Sequence, residues 1–374
     1  MNTNGPLLLI IADDLTGAAD TTARCHRAGL RSQVLLDPAQ WPAAGDQAPV
    51  LAIPTDSRHL PPEAAAARVQ EVLSQAPPLP NGQWYKKIDS TLRGNIGAEL
   101  DAMLAWLGET VVAVVSPAFP AQGRGLEDGY LVHAQTPPRQ AHLPSLLAGQ
   151  SKLPVAAIPL EVVRQGQEPL AQALAQAAAG GARLLVVDGL SDADLATLAQ
   201  AAQRALEAPL FCGSAGLVGV LATALAQRVG VQAALEPATP LPAPGPILAI
   251  VGSASPMAHA QIARVAARPD VRIRTLDRTW SQVDLVTANG HPTGHWLLHL
   301  APPPTGTPLA GATARVEAAR LADLSHAAIG RLHPAALIIV GGDTATYVMR
   351  VLGVTRLEVV EELLPGIPLL TGTD

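Results

Sequence analysis

The ten residues Lys86-Lys87-Ile88-Asp89-Ser90-Thr91-Leu92-Arg93-Gly94-Asn95 hold two lysines, an arginine, an aspartate, two hydroxyls and a glycine, in a chain of 374 residues that is only 15% Asp, Glu, Lys and Arg. So dense a polar cluster in an apolar background marks a site for a small, polar, anionic substrate. Lys87, Arg93 and the backbone N–H groups of Ser90 to Asn95 can hold a carboxylate or phosphate, arginine with two parallel hydrogen bonds. Asp89 can accept from a sugar hydroxyl. Neighbouring residues on a strand point to opposite faces, so Lys86 and Lys87 should not both face the ligand. The plainer reading is a surface ion-pair cluster with a helix cap. Gly94 and Gly97 weigh against it, because they permit close backbone approach.

A second cluster, Ala12-Asp13-Asp14-Leu15-Thr16-Gly17-Ala18-Ala19-Asp20, follows the first apolar run. In parallel α/β sheets ligands collect at the carboxyl ends of strands, where Asp13 and Asp14 would stand. There an aspartate can orient or deprotonate a hydroxyl, or bind Mg²⁺ through oxygen. The plainer reading is a helix cap or turn, with Thr16 as the expected N-cap. Asp20 falls inside the helix and reads as structural. Ser116-Pro117-Ala118-Phe119-Pro120-Ala121-Gln122-Gly123-Arg124 ends a third strand and offers Gln122 and Arg124 as substrate contacts. Gly252-Ser253-Ala254-Ser255 and Gly341-Gly342-Asp343-Thr344 are strand–loop–helix junctions whose small residues let backbone amides approach a phosphate. Neither matches GxxxxGK[ST] or GxGxxG, and a lone glycine turn is most often only a turn. Phe211-Cys212-Gly213-Ser214-Ala215-Gly216-Leu217 is a further such turn, read as structural or as lining the interdomain cleft.

These residues need elements to position them. Apolar runs at Leu7–Ile11, Gln33–Leu36, Val50–Ile53, Trp84–Lys87, Val111–Val115 and Leu184–Val187 read as strands. Ala18–Ala28, Pro61–Ser74, Ile96–Leu107, Pro169–Ala179 and Asp192–Leu206 have helical period. Such alternation predicts an α/β fold with mainly parallel, buried sheets. Residues 125–143 interrupt it, as a hairpin or excursion. Glu236 to Pro246 holds five prolines in eleven residues, which reads as a stiff linker. It divides 1–235 from 247–374, where a new series follows: strand Ile247–Val251, a helix from Pro256, strand Val271–Thr275, helix Ala312–Arg331, strand Ala335–Val340 and a helix to Leu352. The Pro-rich segment Ala301–Pro308 reads as a surface loop. The expected architecture is two α/β domains with a cleft between them.

Bulk numbers exclude several classes. A net charge of -6 argues against a general nucleic-acid binder. Aromatics are 3% against 48% hydrophobic residues, so the cores must be aliphatic. Cys25 and Cys212, the only cysteines, fit neither a disulfide framework nor a metal site, which points to a reducing cytoplasm. His26, His59, His133 and His142 show no zinc spacing. No run approaches the ~20 apolar residues of a membrane-spanning helix. The expected partners are therefore a small molecule, no nucleic acid and no membrane, with a homo-oligomer compatible with everything above.

In their order, ADDLTGAAD at 12–20, KKIDSTLRGN at 86–95, PAFPAQGR at 117–124, GSAGL at 213–217, GSASPMAHAQI at 252–262 and GGDTA at 341–345 resemble the four-carbon acid sugar kinase family. The resemblance spans nearly the whole chain, and its first two motifs are the specific ones. It implies a sugar-acid-binding domain (1–235) and a nucleotide-binding domain (247–374). It also implies ATP-dependent phosphorylation of D-threonate, D-erythronate or a 3-oxo-tetronate at the terminal hydroxyl. Leu15, where the oxo-tetronate branch tends to carry phenylalanine, favours threonate or erythronate. Members usually continue past the segment matching Pro365–Pro368 to a Lys-x-Gly-x-Phe-Gly-like turn. Here that implies a nucleotide domain incomplete at its C-terminal end.

Under this resemblance the expected mechanism is in-line phosphoryl transfer between the domains. Arg93, Lys87 and Arg124 would hold the carboxylate; Asp13, Ser90, Thr91 and Gln122 would contact the substrate. Asp14 or Asp89 would orient the reacting hydroxyl and take its proton. Ser253, Ser255 and Gly341, Gly342, Asp343 and Thr344 would cradle ATP. Mg²⁺ would bridge its phosphates, with protein ligands unknown. Closure about the linker would exclude water. Two alternatives stand beside it. One is a catalytically impaired sugar-acid-binding or regulatory protein. The other is a nicotinamide-dependent oxidoreductase, which the missing GxGxxG opposes.

Overall fold

Leu8–Ala12 reads LLIIA and is buried on both faces, the signature of a strand in the middle of a parallel sheet. The structure is a computed structural model and describes residues 6–38, 48–76, 79, 82–134, 141–231, 245–276, 294–301 and 311–373. After this first strand, β1 (Leu8–Ala12), come α1 (Leu15–Arg27), β2 (Ser32–Leu35), β3 (Val50–Pro54), α2 (Pro62–Gln75), β4 (Gln83–Lys87) and α3 (Ile96–Leu107). There follow β5 (Ala113–Ser116), a short 3-10 turn (Pro120–Gln122), β6 (Arg124–Glu127), β7 (Tyr130–His133), α4 (Leu143–Gln150), β8 (Val155–Ile158), α5 (Leu160–Arg164) and α6 (Gln167–Ala179). The series ends with β9 (Leu184–Val187), α7 (Asp192–Ala205), β10 (Leu210–Gly213) and α8 (Ala215–Arg228). The later elements are β11 (Ile247–Val251), α9 (Pro256–Ala266), β12 (Val271–Leu276), β13 (His295–Leu300), α10 (Gly311–Leu332), β14 (Ala336–Val340), α11 (Gly342–Val351), β15 (Arg356–Leu364) and β16 (Ile367–Thr373).

The chain divides into two compact units: Met1–Ala238 with Arg356–Asp374, and Thr239–Thr355. In the first unit the sheet order is β16-β15-β2-β3-β1-β4-β10-β5-β9-β8. From β2 to β8 every pairing is parallel. Leu9, Ile11, Leu51 and Ile53 pack with α2, α3 and α4 in one aliphatic core. The helices α1, α8, α7 and α6 adjoin one another in sequence on the other face. The 125–143 interruption is the hairpin β6–β7, turned at Asp128 and Gly129, both with positive φ, as a tight hairpin requires. The second unit is a four-stranded parallel sheet, β12-β13-β11-β14. Its α10 and α11 cover one face, α9 the other.

Some expectations need correction. The tail Arg356–Thr373, placed by sequence with the nucleotide domain, pairs antiparallel through β15 with β2 of the first sheet. The reason is that β2 is otherwise an edge, and an edge strand accepts whichever strand reaches it. The helix after β1 starts at Leu15, not Ala18, because Asp14 rather than Thr16 caps it. Strands β8, β10 and β13 have no counterpart in the sequence reading. The proposed linker lies mostly, and the 301–308 loop almost wholly, outside the described residues.

Opposed facing of the two lysines is confirmed. Trp84 and Lys86 of β4 face α3, and Tyr85 and Lys87 face the α1 and α8 side. Lys86 is fully buried, and its Nζ lies 2.5 Å from Glu99 Oε2 of α3. Removing one partner leaves an uncompensated buried charge. Glu99→Leu should therefore cost about 3–5 kcal/mol, and Lys86→Met/Glu99→Leu should recover most of it. Urea unfolding of both variants checks this; equal losses in the two would show that the pair itself holds α3 to β4.

Candidate active site

β1 is followed by a helix on one face of the sheet and its neighbour β3 by a helix on the other, so a crevice opens at their carboxyl ends. The parallel neighbour on the other side, β4, ends at the same level, with Ala12 opposite Lys87. Three chain turns therefore converge there: Asp13-Asp14, Thr55 to Arg58, and Ile88 to Gly94.

The middle turn is firmly held. Thr55 N–H and Oγ1 both donate to Ala12 O, at 2.8 and 2.9 Å. Ser57 N–H donates to Asp13 O at 3.0 Å, and Ser57 Oγ to Glu99 Oε1 at 2.7 Å. Asn95 Nδ2 donates to Leu60 O at 2.8 Å. Asp56, between them, takes a left-handed φ of 51°. The result is to aim Arg58 back at β1. Its Nε and Nη2 donate to Asp13 Oδ2 and Oδ1 at 2.7 and 2.8 Å, and its Nη1 to Asp14 Oδ2 at 2.5 Å. Arg58 was not among the residues singled out by sequence. It stands alone in an ordinary polar turn, and only the pairing of β3 with β1 brings it to the aspartates.

Asp14 also accepts from Gly17 N–H at 2.7 Å and Thr16 Oγ1 at 2.6 Å, so it caps α1 and faces the site together. Burial pushes its carboxyl up, but Arg58, Lys87 and the Thr16 and Gly17 hydrogen bonds outweigh burial and hold it below the usual carboxylate range. Lys87 Nζ donates to Ile88 O at 2.9 Å and lies 3.0 Å from where a Cβ on Gly17 would stand. That puts its charge at the positive first turn of α1, where Asp14 compensates it.

Asp89 is engaged by Arg93, Nε to Oδ2 at 2.6 Å and Nη2 to Oδ1 at 3.1 Å, and by Thr91 Oγ1. Burial opposes its ionisation, but these partners and Arg58 hold it well below the usual range. In the structure the Arg93 fork, 61% exposed, meets Asp89. Arg124 Nη1 donates to Ser90 Oγ at 2.7 Å and Gln122 Oε1 at 2.6 Å, which joins the 117–124 loop to the β4 turn. Asp13, Asp14, Lys87, Asp89, Ser90, Thr91, Arg93, Gln122 and Arg124 thus gather with Arg58 at one edge of the first unit.

In the second unit the two glycine turns end neighbouring strands, β11 and β14. Gly252 and Ser253 N–H both donate to Val340 O, at 3.0 and 3.2 Å. A Cβ on Gly252 would lie 2.0 Å from Thr344 Oγ1, so only glycine lets the turns meet. Ser255 caps α9 by accepting from Ala258 N–H at 3.1 Å, and Ser253 Oγ donates to Ser255 Oγ at 3.2 Å. Gly341, Gly342, Asp343 and Thr344 open α11. Ser253, Ser255 and these four are brought together, and the uncapped first turn of α11 leaves N–H groups without intrahelical partners, whereas in α9 Pro256 has no N–H and the Ala258 N–H is taken by Ser255. Among the described residues, no group of three or more His, Cys, Asp or Glu side chains is placed to hold a metal ion. Among them, too, no helix is long and apolar enough to cross a membrane.

Two family models match the chain, the second of them including residues 356–374, which fall here in the first unit. Residues 8–221 match the family model described as a sugar-binding N-terminal domain, and residues 248–374 the one described as a nucleotide-binding C-terminal domain. A D-threonate kinase of Bordetella bronchiseptica is 35% identical, over 99% of this chain and 91% of its own. A D-erythronate kinase of Heliobacterium modesticaldum is 40% identical over 52% of this chain and 48% of its own. A solved structure from Salmonella typhimurium LT2, described as a putative tRNA synthase, superposes with a TM-score of 0.74 over 98% of this chain and 93% of its own, at 23% identity, which shows the fold.

Asp14 and Asp89 both have lowered carboxyl pKa values, so the stability they add is present above about pH 4 and lost as pH falls through their native values. Thermal unfolding from pH 7 to pH 2 should show this acid loss, and Arg93→Ala, which removes the partner that lowers Asp89, should lower stability at pH 7 and make the acid loss smaller. An acid loss of wild-type size would show that Arg93 does not hold the Asp89 charge.

Proposed function

Because the chain belongs to the four-carbon acid sugar kinase family and is a small-molecule kinase, we propose that it phosphorylates D-threonate or D-erythronate, with ATP as donor, at the terminal hydroxyl. A 3-oxo-tetronate is the less favoured acceptor. The observation that carries this reading is the cluster Asp13, Asp14, Arg58 and Lys87 at the carboxyl ends of β1, β3 and β4. It offers fixed cations for a carboxylate and fixed carboxylates for hydroxyls, the two groups that a sugar acid carries.

The roles follow from charge. Lys87 and the unused N–H groups of Arg58 hold the substrate carboxylate, with Arg124 at the rim. Asp14 is ionised and rigid, so it orients the reacting hydroxyl and receives its proton as the new bond forms. A carboxylate of low basicity suffices, since the transferring phosphoryl passes through a loose transition state that asks chiefly for positioning and charge neutralisation. Asp13 orients Arg58. Asp89, pinned by Arg93, steers hydroxyls and does not serve as the base.

The donor fits the second unit. The Ser253 and Ser255 hydroxyls and the uncapped first-turn N–H groups of α11 offer an anion cradle in which a glycine is sterically required. Asp343 stands in the first turn of α11, and its carboxylate would meet a phosphate-bound cation rather than the phosphate itself. Mg²⁺ would enter carried on the nucleotide phosphates, as this ion commonly does, and supplies neutralisation of their charge. The buried free thiols Cys25 and Cys212 suit a reducing cytoplasm.

ADP release across D-threonate, D-erythronate, their L-isomers and 3-oxo-tetronates tests the reading. The expected result is turnover with one or both D-acids and ATP. Asp14→Asn should lower kcat by about 10²- to 10³-fold while the sugar acid still binds. No turnover with any four-carbon acid would overturn the assignment, and a near-normal kcat in Asp14→Asn would remove Asp14 from the chemistry.

A further inference from the structure

The stripe on α1 that begins with Asp14 and Gly17 continues to Asp20 and Arg24, at the spacing that keeps side chains on one helix face. Asp20 Oδ1 is buried and has no hydrogen-bond partner among the described residues. The charged groups that face it are Lys87, Arg24, Glu362 and Asp14. Arg24 is turned away toward β15, with its Nε 3.2 Å from Glu362 Oε1 and its guanidinium 5.1 Å from the Phe119 ring centroid. Asp20 thus sits beside the Lys87 ammonium with an acceptor oxygen that nothing uses.

A third segment closes the place. Pro365 and Gly366 link β15 to β16, and Gly366 has φ of 82°. A Cβ on Gly366 would stand 2.8 Å from Gln122 Nε2 and 3.8 Å from Asp20 Oδ1. Gln122 Oε1 is taken by Arg124, so its Nε2 is the end turned toward this turn. A carboxylate oxygen without a donor, an amide with its donor end inward and a side-chain-free turn therefore converge beside Lys87. Burial pushes the Asp20 carboxyl up to about 6, against the pull of Lys87 and Arg24, as befits an acceptor short of donors.

We propose that Asp20, Gln122 and the Gly366 turn form a hydroxyl-recognising subsite, in which Asp20 Oδ1 accepts from one secondary hydroxyl of the bound four-carbon acid. This rests on the sugar-acid reading above and adds to it a residue that sets substrate choice. An acid lacking that hydroxyl leaves the buried acceptor unpaired and is rejected. Asp20 takes no part in phosphoryl transfer, so it governs which acid binds and not how fast the bound acid reacts. The tail strands β15 and β16 gain a role as one wall of the first unit's site.

The test is binding without nucleotide, by calorimetry, of D-threonate, D-erythronate, 2,4-dihydroxybutanoate and 3,4-dihydroxybutanoate, with ADP release measured separately. The wild-type chain should bind one deoxy acid at least about tenfold more weakly than the best trihydroxy acid. In Asp20→Ala that gap should close, because the trihydroxy acid loses its partner and the deoxy acid does not. Asp20→Asn, which keeps the shape and removes the buried charge, should fold and narrow the gap in part. A gap of wild-type size in both variants overturns the subsite. If the acids bind with the predicted gap but no ADP is released, the subsite stands and the kinase substrate assignment falls. If ADP is released and Asp20→Ala discriminates as the wild type does, the assignment stands and the subsite falls. If no acid binds, both fall.

Discussion

One buried guanidinium spans two adjacent carboxylates, and much of the first unit is arranged to keep it there. Arg58 has donors on both oxygens of Asp13 and on one of Asp14. Burial works against its charge, but the Asp13 hydrogen bond and the Asp14, Asp13 and Asp89 charges outweigh this and hold its pKa above the ordinary value. Such a cluster is tolerable away from water only if geometry is fixed and remaining hydrogen-bonding capacity is met. The turn that carries Arg58 is accordingly tied to β1 by backbone bonds and to α3 through Ser57 and Glu99. Glu99 in turn compensates Lys86 from beneath. The two lysines of β4 thus divide their work: one locks the sheet to α3, the other supplies charge at the first turn of α1.

The second consequence is chemical. Strongly ionised carboxylates make poor general bases and good orienting groups, and this suits phosphoryl transfer better than reactions that need a proton removed from carbon or held by a neutral acid. The second unit brings a complementary set: small residues, hydroxyls and helix-terminal amides, with no arginine or lysine in either glycine turn. Hydroxyls and helix-terminal amides at the strand ends of one unit and a mixed-charge cluster at those of the other match what the proposed sugar-acid kinase would ask of its two sites.

Much of this was legible in the sequence, for identifiable reasons. Asp13 and Asp14 are contiguous and follow an apolar run, so their place at a strand end needs only local pattern. The β9 and β11 strands and the α3 helix show the expected bounds because their apolar periods are unmixed. Arg58 was not legible, since its partners lie over forty residues away and nothing nearby marks it. The fate of residues 356–373 was not legible either: they follow the second unit directly, and only an open edge at β2 decides which sheet they join. Asp20 read as structural for the same cause, because the turn that faces it comes from Gly366.

The most direct measurement is a crystal structure of the chain grown with D-threonate or D-erythronate. The account predicts the acid at the carboxyl ends of β1, β3 and β4, its carboxylate on Lys87 and Arg58 and its terminal hydroxyl on Asp14. An acid bound elsewhere in the molecule, with the Arg58–Asp13–Asp14 cluster untouched, would contradict it.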